Sequence, residues 1–513
     1  MLVLAIIYFI LFCFFINKLS FFKDNKLSFK LILFILLIKA FGCLVYYWIY
    51  FNYYPGSFKN DSTSTMHDAL VIYNALPDHV FDYLKMIFGL HSNNVSDPLY
   101  NSYFQYIDKW GNSDSTSDFF LNDNRTSIRL NAFIMLFSRG NYMVHAFVMI
   151  AISFIGQFAF YKTFKEYFLK KVILLALVIF VTPSILFWTS GVLKEPLVVF
   201  LLGIFIYFYF QIFVHKHYNI KNVLFLMLSI CFFIILKPYV ILMAAIPLFI
   251  YKLVLFFKIK KVVLFYFFGI IFIYSLSITT FKYVFNKDVI QTIVNRQNDF
   301  VNLSKGGIFL LNKTKYVRLD TKDIKSIVMV DSVKMLCKIK PHSKLMYWDV
   351  NHINNLRDTL FDYDNQDTSI FHFHSASPPA GSGINILKLA NSYSSFAKLI
   401  PLSLFNVFCR PFFYDSHSFT ELIASLENLF ILLFLLFCFI NGKYNNKNSN
   451  LLACLICIVL LSFLLIGLTT TVTGAIVRYK VPFLPFLLMI PLLVLDADKL
   501  KRYSIIKRFV DTK

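Results

Sequence analysis

Eight charged side chains, set beside or between long apolar runs, have the types and spacing to do chemistry. They are Asp61 and Asp68, the adjacent pair Lys194 and Glu195, then Lys237, Arg410, Arg478 and Lys480. A charge next to a bilayer span is costly unless it faces water, a partner or a substrate. A carboxylate so placed can take the proton of an acceptor hydroxyl as a general base. Arg and Lys can offset charge on a departing phosphate, and the planar fork of Arg suits phosphate and carboxylate oxygens. The set therefore suits group transfer from a phosphate-bearing donor. Asp61 and Asp68 are the catalytic candidates; Lys194, Glu195, Lys237, Arg410, Arg478 and Lys480 are the donor-binding ones. His67, next to Asp68, could serve a metal or a proton, and a divalent cation would be a further way to offset phosphate charge.

Plainer readings exist for several of these residues. Asp61 and Asp68 lie seven residues apart, two turns along one face if the segment is helical. The run Asn60-Asp61-Ser62-Thr63 also reads as a helix start, with Asp61 or Ser62 as its cap. The stretch from Pro183 to Pro196 interrupts two apolar runs with a proline, a Thr189-Ser190-Gly191 turn and the Lys194-Glu195 pair. It is either a connecting turn whose charges reach the interface or part of a site.

The elements that must position these residues are membrane spans. The 513 residues are 58% hydrophobic and 15% charged, and several runs exceed the roughly 18 apolar residues that mark a span. Eleven spans are expected, at about 1–16, 31–51, 141–160, 172–189, 197–214, 222–236, 240–257, 262–282, 421–440, 451–470 and 481–495. The first run lacks a basic leader and a small-residue cleavage site, so it reads as a span or half-buried anchor rather than a signal peptide.

The net charge of +22 is distributed by topology. The connections 17–30, 161–171, 215–221, 252–261 and 441–450, with the tail 496–513, carry 22 Lys plus Arg against 5 acids. The positive-inside rule assigns them to the cytoplasm, with the N-terminus outside and the C-terminus inside. The remaining long segments, 52–140 and 283–420, are then extracytoplasmic. They leave a six-span core at 141–282 and three spans at 421–495. Residues 52–128 hold nine Asp, no Glu and four basic residues, and patterns at 69–76, 80–90 and 127–137 suit helices along the membrane surface. In the second segment, 316–319 and 326–333 read as strands of a small α+β subdomain, and 375–383 as a flexible loop. Lys outnumbers Arg 40 to 10, yet eight Arg fall on the expected outer side: 125, 129, 139, 296, 318, 357, 410 and 478. Arg there suits either an anion or ion pairs with the Asp residues. The eight Cys are mostly inside apolar runs and form no disulfide or zinc spacing. The basic residues make no aromatic-interleaved patch for nucleic acid.

The acid-bearing segment followed by Pro183-Ser184-x-x-Phe187-Trp188-x-Ser190-Gly191-x-x-Lys194-Glu195 resembles the GT-C superfamily of polyprenyl-phosphate-sugar-dependent glycosyltransferases. A narrower resemblance is to bacterial multi-pass proteins of surface-polysaccharide assembly. It rests on Asp61-Ser62-Thr63, the Phe187–Glu195 motif, Arg410-Pro411-Phe412 and Gly474-x-x-x-Arg478-Tyr479-Lys480. The resemblance implies an all-α polytopic fold in the bacterial cytoplasmic membrane. It also implies a catalytic Asp in the first outer segment, a polyprenyl-linked sugar donor, and a glycan, lipid or protein acceptor. Here two apolar runs, rather than one, precede that segment. A Wzy-like polysaccharide polymerase, which would use the outer Arg residues, is the alternative enzyme. A transporter or a membrane subunit of a surface-assembly machine is the non-enzymatic alternative.

Overall fold

The computed structural model describes, in the main, residues 2–53, 60–90, 97–107, 123–284, 288–305, 382–384, 386–416, 418–443 and 448–500, with the strand backbones between 308 and 377. Helices α1 (Leu2–Lys18) and α2 (Phe29–Trp48) open the chain. The Ser28 side chain caps α2 by accepting from the Leu31 N–H. Four helices follow: α3 (Asp61–Tyr73), α4 (Val80–Phe88), the short α5 (Pro98–Ser102) and α6 (Asp123–Ser138). The patterns at 69–76, 80–90 and 127–137 fall within α3, α4 and α6. These helices share a core in which Ala69, Ile72, Met86, Ile128, Ala132 and Met135 are buried. Helix α3 starts eight residues before its apolar pattern because Asn60, not Asp61 or Ser62, is its cap. The Asn60 side chain accepts from the Ser62 and Thr63 N–H groups at 3.0 and 2.9 Å.

Helix α7 (Tyr142–Phe164) passes through a tight turn with a non-helical Phe168 into α8 (Val172–Phe180). The expected span at 172–189 is broken. Pro183 disfavours helical backbone at the residue before it, and Thr182 is extended there (φ −53°, ψ 125°), so a separate short helix, α9 (Pro183–Trp188), begins. After a turn, α10 (Glu195–Tyr209) starts with Pro196 in its first turn.

Helices α7 and α10 approach backbone to backbone. A Cβ on Gly203 would lie 2.0 Å from the Gly156 carbonyl oxygen, and one on Gly156 would lie 2.3 Å from the Phe200 Cα. Small residues allow such crossings between apolar helices, where close packing drives association. Gly203→Val is therefore expected to destabilise the chain by about 1–3 kcal/mol or more through overpacking. A thermal melt of the detergent-purified chain should show a clear fall in midpoint, whereas an unchanged midpoint would mean that the two backbones do not touch.

The chain continues through α11 (Ile220–Leu236), α12 (Pro238–Phe257), α13 (Val262–Tyr283) and the polar α14 (Val289–Lys305). A seven-stranded antiparallel sheet follows: β1 (Ile308–Leu311), β2 (Lys315–Arg318), β3 (Ile324–Met329), β4 (Met335–Ile339), β5 (Lys344–Asp349), β6 (Phe361–Asp362) and β7 (Ser369–Ser377), in the order β3-β4-β7-β1-β2-β5-β6. Strands β2 and β3 overlap the expected 316–319 and 326–333. Strand β7 runs into the start of the stretch read as a loop, because Ser375 and Ala376 pair with Leu310 and Phe309. Arg357 lies outside the described residues. The chain ends with α15 (Tyr393–Cys409), α16 (Phe419–Ile440), α17 (Ser449–Thr469), α18 (Thr473–Lys480), α19 (Leu484–Val494) and α20 (Ala497–Leu500).

Among the described residues, eight helical stretches are long and apolar enough to cross a membrane: Phe29–Tyr53, Tyr142–Phe180, Glu195–Val214, Pro238–Phe257, Val262–Tyr283, Phe419–Ile440, Ser449–Thr469 and Thr473–Val494. The expected spans 1–16 and 222–236, short as runs, correspond to the shorter apolar helices Val3–Lys18 and Ile220–Leu236, while 142–160 and the first half of 172–189 share one kinked stretch. Helix α13 shows what the outer surface is made of: Val263, Phe267, Phe268, Ile271 and Phe272 are exposed, and of its residues only Tyr266 is buried. The architecture is that of a helical multi-pass membrane protein.

Candidate functional site

The broken segment between α8 and α10 is held from several sides. Thr189 and Ser190 end α9 by donating their hydroxyls to the Ile185 and Leu186 carbonyls, each at 2.6 Å. Gly191 lies against the Tyr46 ring of α2, and a Cβ there would sit 2.7 Å from a ring carbon. That contact, rather than turn geometry alone, explains the glycine. The segment then delivers Glu195 to the first turn of α10, where the helix dipole favours a carboxylate.

Glu195 is almost wholly buried and faces two cations. Arg478 of α18 donates from Nη2 to Glu195 Oε2 at 2.9 Å, and its Nε lies 2.8 Å from Oε1. The second contact is not aligned for a hydrogen bond, so Nε and Oε1 both remain without a hydrogen-bond partner. Lys237, between α11 and α12, holds its Nζ 3.6 Å from Glu195 Oε1 and 5.0 Å from the centre of the Tyr479 ring. The other end of the Arg478 guanidinium pairs with Asp61 Oδ2 at the start of α3. Trp188, the last residue of α9, lies 5.5 Å from the guanidinium carbon and supplies a cation–π contact. Three stretches far apart in sequence, the start of α3, the segment from Trp188 to Glu195 and Lys237, thus meet around one arginine.

The exposure of the two carboxylates decides their uses. The Glu195 side chain is 2% exposed, whereas that of Asp61 is 48% exposed. Glu195 is an anchor for Arg478; Asp61 can meet a second molecule in water. Because Asn60 does the capping, the Asp61 carboxylate is spared that role and can reach Arg478. Between the cations lies a narrow cleft lined by Glu195, Lys237, Tyr239, Arg478, Tyr479 and Phe483, with a cavity of about 10 Å³. That is about the room of one water molecule and far below an ordinary ligand pocket, so a larger ligand needs side chains to move.

Lys194 sits beside this group, pairing with Asp123 at 2.6 Å and donating to Asn124 Oδ1 at 2.6 Å. Burial pulls its ammonium below the ordinary lysine range, while Asp123 and Asp61 work against that and Lys237 with it. Asp68 is fully buried two turns beyond Asp61, with the ring of the exposed His67 3.3 Å away. Arg410 is engaged elsewhere, bonding Asp415 at 2.7 Å and Asn406 at 3.1 Å. Lys480 is buried against the Val407 and Arg410 carbonyls and Asn428 Oδ1 at 3.1, 3.3 and 3.3 Å. It is two residues from Arg478, a spacing that does not share a helix face. The structure thus brings Asp61, Lys194, Glu195, Lys237 and Arg478 to one region, and places Arg410 and Lys480 together at the end of α15.

Two buried charges outside the sequence-derived set brace the segment. Lys39, in the middle of α2, donates to Gln157 Oε1 at 2.9 Å and Thr189 Oγ1 at 2.7 Å. Glu427 of α16 accepts from the Ser184 N–H at 2.8 Å and from the Ser184 hydroxyl. A carboxylate therefore meets the start of α9 and an ammonium meets its end, as the helix dipole favours. A lone charge inside an apolar run was the available sequence signal for both; Asp123 and Asn124 had no comparable signal. Lys39→Met should leave the Gln157 and Thr189 oxygens without this donor, at about 1–3 kcal/mol. A lowered melting temperature of the purified chain is the expected result, and an unaltered one would show that Lys39 does not brace α9.

No family model matches this chain, and no curated protein or solved structure is similar to it. Among the described residues no three His, Cys, Asp or Glu side chains converge as metal ligands.

Proposed function

We propose that this chain is a membrane-embedded glycosyltransferase of the GT-C kind, moving a sugar from a polyprenyl-phosphate donor to a glycan, lipid or protein acceptor. The observation that supports it is the bridging of Asp61 and Glu195 by Arg478, with Lys237 alongside. In this reading eleven spans and the positive-inside rule place the group on the extracytoplasmic face of a bacterial cytoplasmic membrane. Nucleotide sugars are not at hand there, and a lipid-linked donor reaches the site from the bilayer. Arg478 and Lys237 hold the donor phosphate and offset the charge that grows on it as the glycosidic bond breaks. Glu195 fixes the Arg478 fork. Asp61 takes the acceptor's hydroxyl proton as the new bond forms, and the leaving polyprenyl phosphate departs as an anion. Lys194 and Asp123 border the acceptor side.

The test is release of polyprenyl phosphate by the purified chain in proteoliposomes, supplied with single-sugar polyprenyl-phosphate donors and membrane extract as acceptor. Acceptor-dependent release is expected. Turnover only of diphosphate-linked oligosaccharides would instead assign the polymerase reaction, and turnover of neither would remove the enzyme reading.

A further inference from the structure

Among the described residues, the ion pairs around Arg478 balance. Asp61, Glu195 and Asp123 stand against Arg478, Lys237 and Lys194. An anion added to such a partly buried, neutral group is disfavoured unless a like charge leaves. Of the two carboxylates on Arg478, one is placed to leave. Glu195 is enclosed, while Asp61 is half in water on the outer end of the guanidinium. The group also holds a cation that is only loosely engaged: Lys237 Nζ stands 3.6 Å from Glu195, beyond hydrogen-bond reach.

We infer that the donor's anion enters by exchanging with Asp61 on Arg478, so that donor binding itself releases the carboxylate that acts on the acceptor. The inference rests on the transferase reading for naming that anion as a phosphate. A singly charged phosphodiester replaces the one carboxylate charge it displaces, leaving the group neutral; a diphosphate leaves it with excess negative charge. While paired with Arg478, Asp61 is stabilised as an anion and is a poor proton acceptor. Once displaced it is a better one. The exchange therefore orders the reaction, donor before acceptor, and keeps the base idle in the empty protein.

The experiment is a titration of the full-length, detergent-purified chain with dibutyl phosphate, a soluble singly charged phosphodiester, followed by tryptophan emission. The chain has four Trp, and Trp188→Phe isolates the signal of the one stacked on Arg478. A saturable change is expected in the unaltered chain and is lost in Trp188→Phe. Asp61→Asn, which removes the competing charge at a half-exposed position, should bind about threefold to fivefold more tightly. Pyrophosphate should bind less well than the diester to the unaltered chain. Equal or weaker binding by Asp61→Asn overturns the exchange, as does no saturable binding by either protein. The titration itself needs no turnover, and transfer assayed in parallel lets the two readings fail separately. Loss of transfer in Asp61→Asn with unchanged diester affinity would sink the exchange and leave the transferase standing.

Discussion

An Arg478→Gln chain is expected to lose on the order of 10²–10³-fold in transfer rate, the effect of removing one preorganised donor from developing negative charge. Gln is neutral and cannot bridge Asp61 and Glu195. It also leaves Glu195, 2% exposed, with Lys237 at 3.6 Å as its remaining cation. Removing one partner of a buried pair costs about 3–5 kcal/mol, so the melting temperature should fall as well. Arg478→Lys separates the two effects. Its ammonium restores the charge beside Glu195 but not the fork that reaches both carboxylates. Stability should return further than rate. Rates measured per folded molecule, with the melt run in parallel, check this; full activity in Arg478→Lys would mean that charge alone suffices there.

Asp61→Asn should have the second large effect, about 10²–10⁴-fold on turnover, with little change in stability. The side chain is 48% exposed, and a half-exposed ion pair contributes at most about 1 kcal/mol. The Asn60 cap of α3 is untouched by the change. Turnover at saturating donor, set against the melting curve, is the measurement. A chain that folds normally and turns over normally would remove Asp61 from the chemistry and direct attention to Asp68.

The residues that the structure brings together and those it places elsewhere differ in a physical way. Glu195 and Arg478 each interrupt or flank apolar sequence, where a charge has few ways to be stable other than with an opposite one, while Asp61 stands in a polar stretch and reaches Arg478 from there. The same argument, applied to Arg410 and Lys480, did not say which partner each would find: Arg410 pairs with Asp415, and Lys480 with the Val407 and Arg410 carbonyls. Asp61 and Asp68 do lie two turns apart on one helix, as their spacing suggested. Asp68 is nonetheless buried, because α3 packs against its neighbours there, which local pattern does not encode. Lys39 and Glu427 were visible as single charges in apolar runs, but their common role in bracing α9 requires knowing that α2 and α16 both reach that helix. The break at Thr182 was legible in Pro183, while the length of α9 was not, because it depends on where Thr189 and Ser190 turn back onto their own carbonyls. Asp123 pairs with Lys194 across a connection of about 70 residues, and no periodicity links such positions.

The central claim is that Asp61 and Arg478 act on one substrate as a unit. The most direct measurement is the transfer rate of the Asp61→Asn, Arg478→Gln double variant against each single variant, with folding confirmed for all. Residues that act as a unit give strongly non-additive losses. The double variant is predicted to be about as slow as the slower single one. Losses that multiply in full, with each single variant impaired on its own account, would contradict a shared site and separate the arginine from the aspartate.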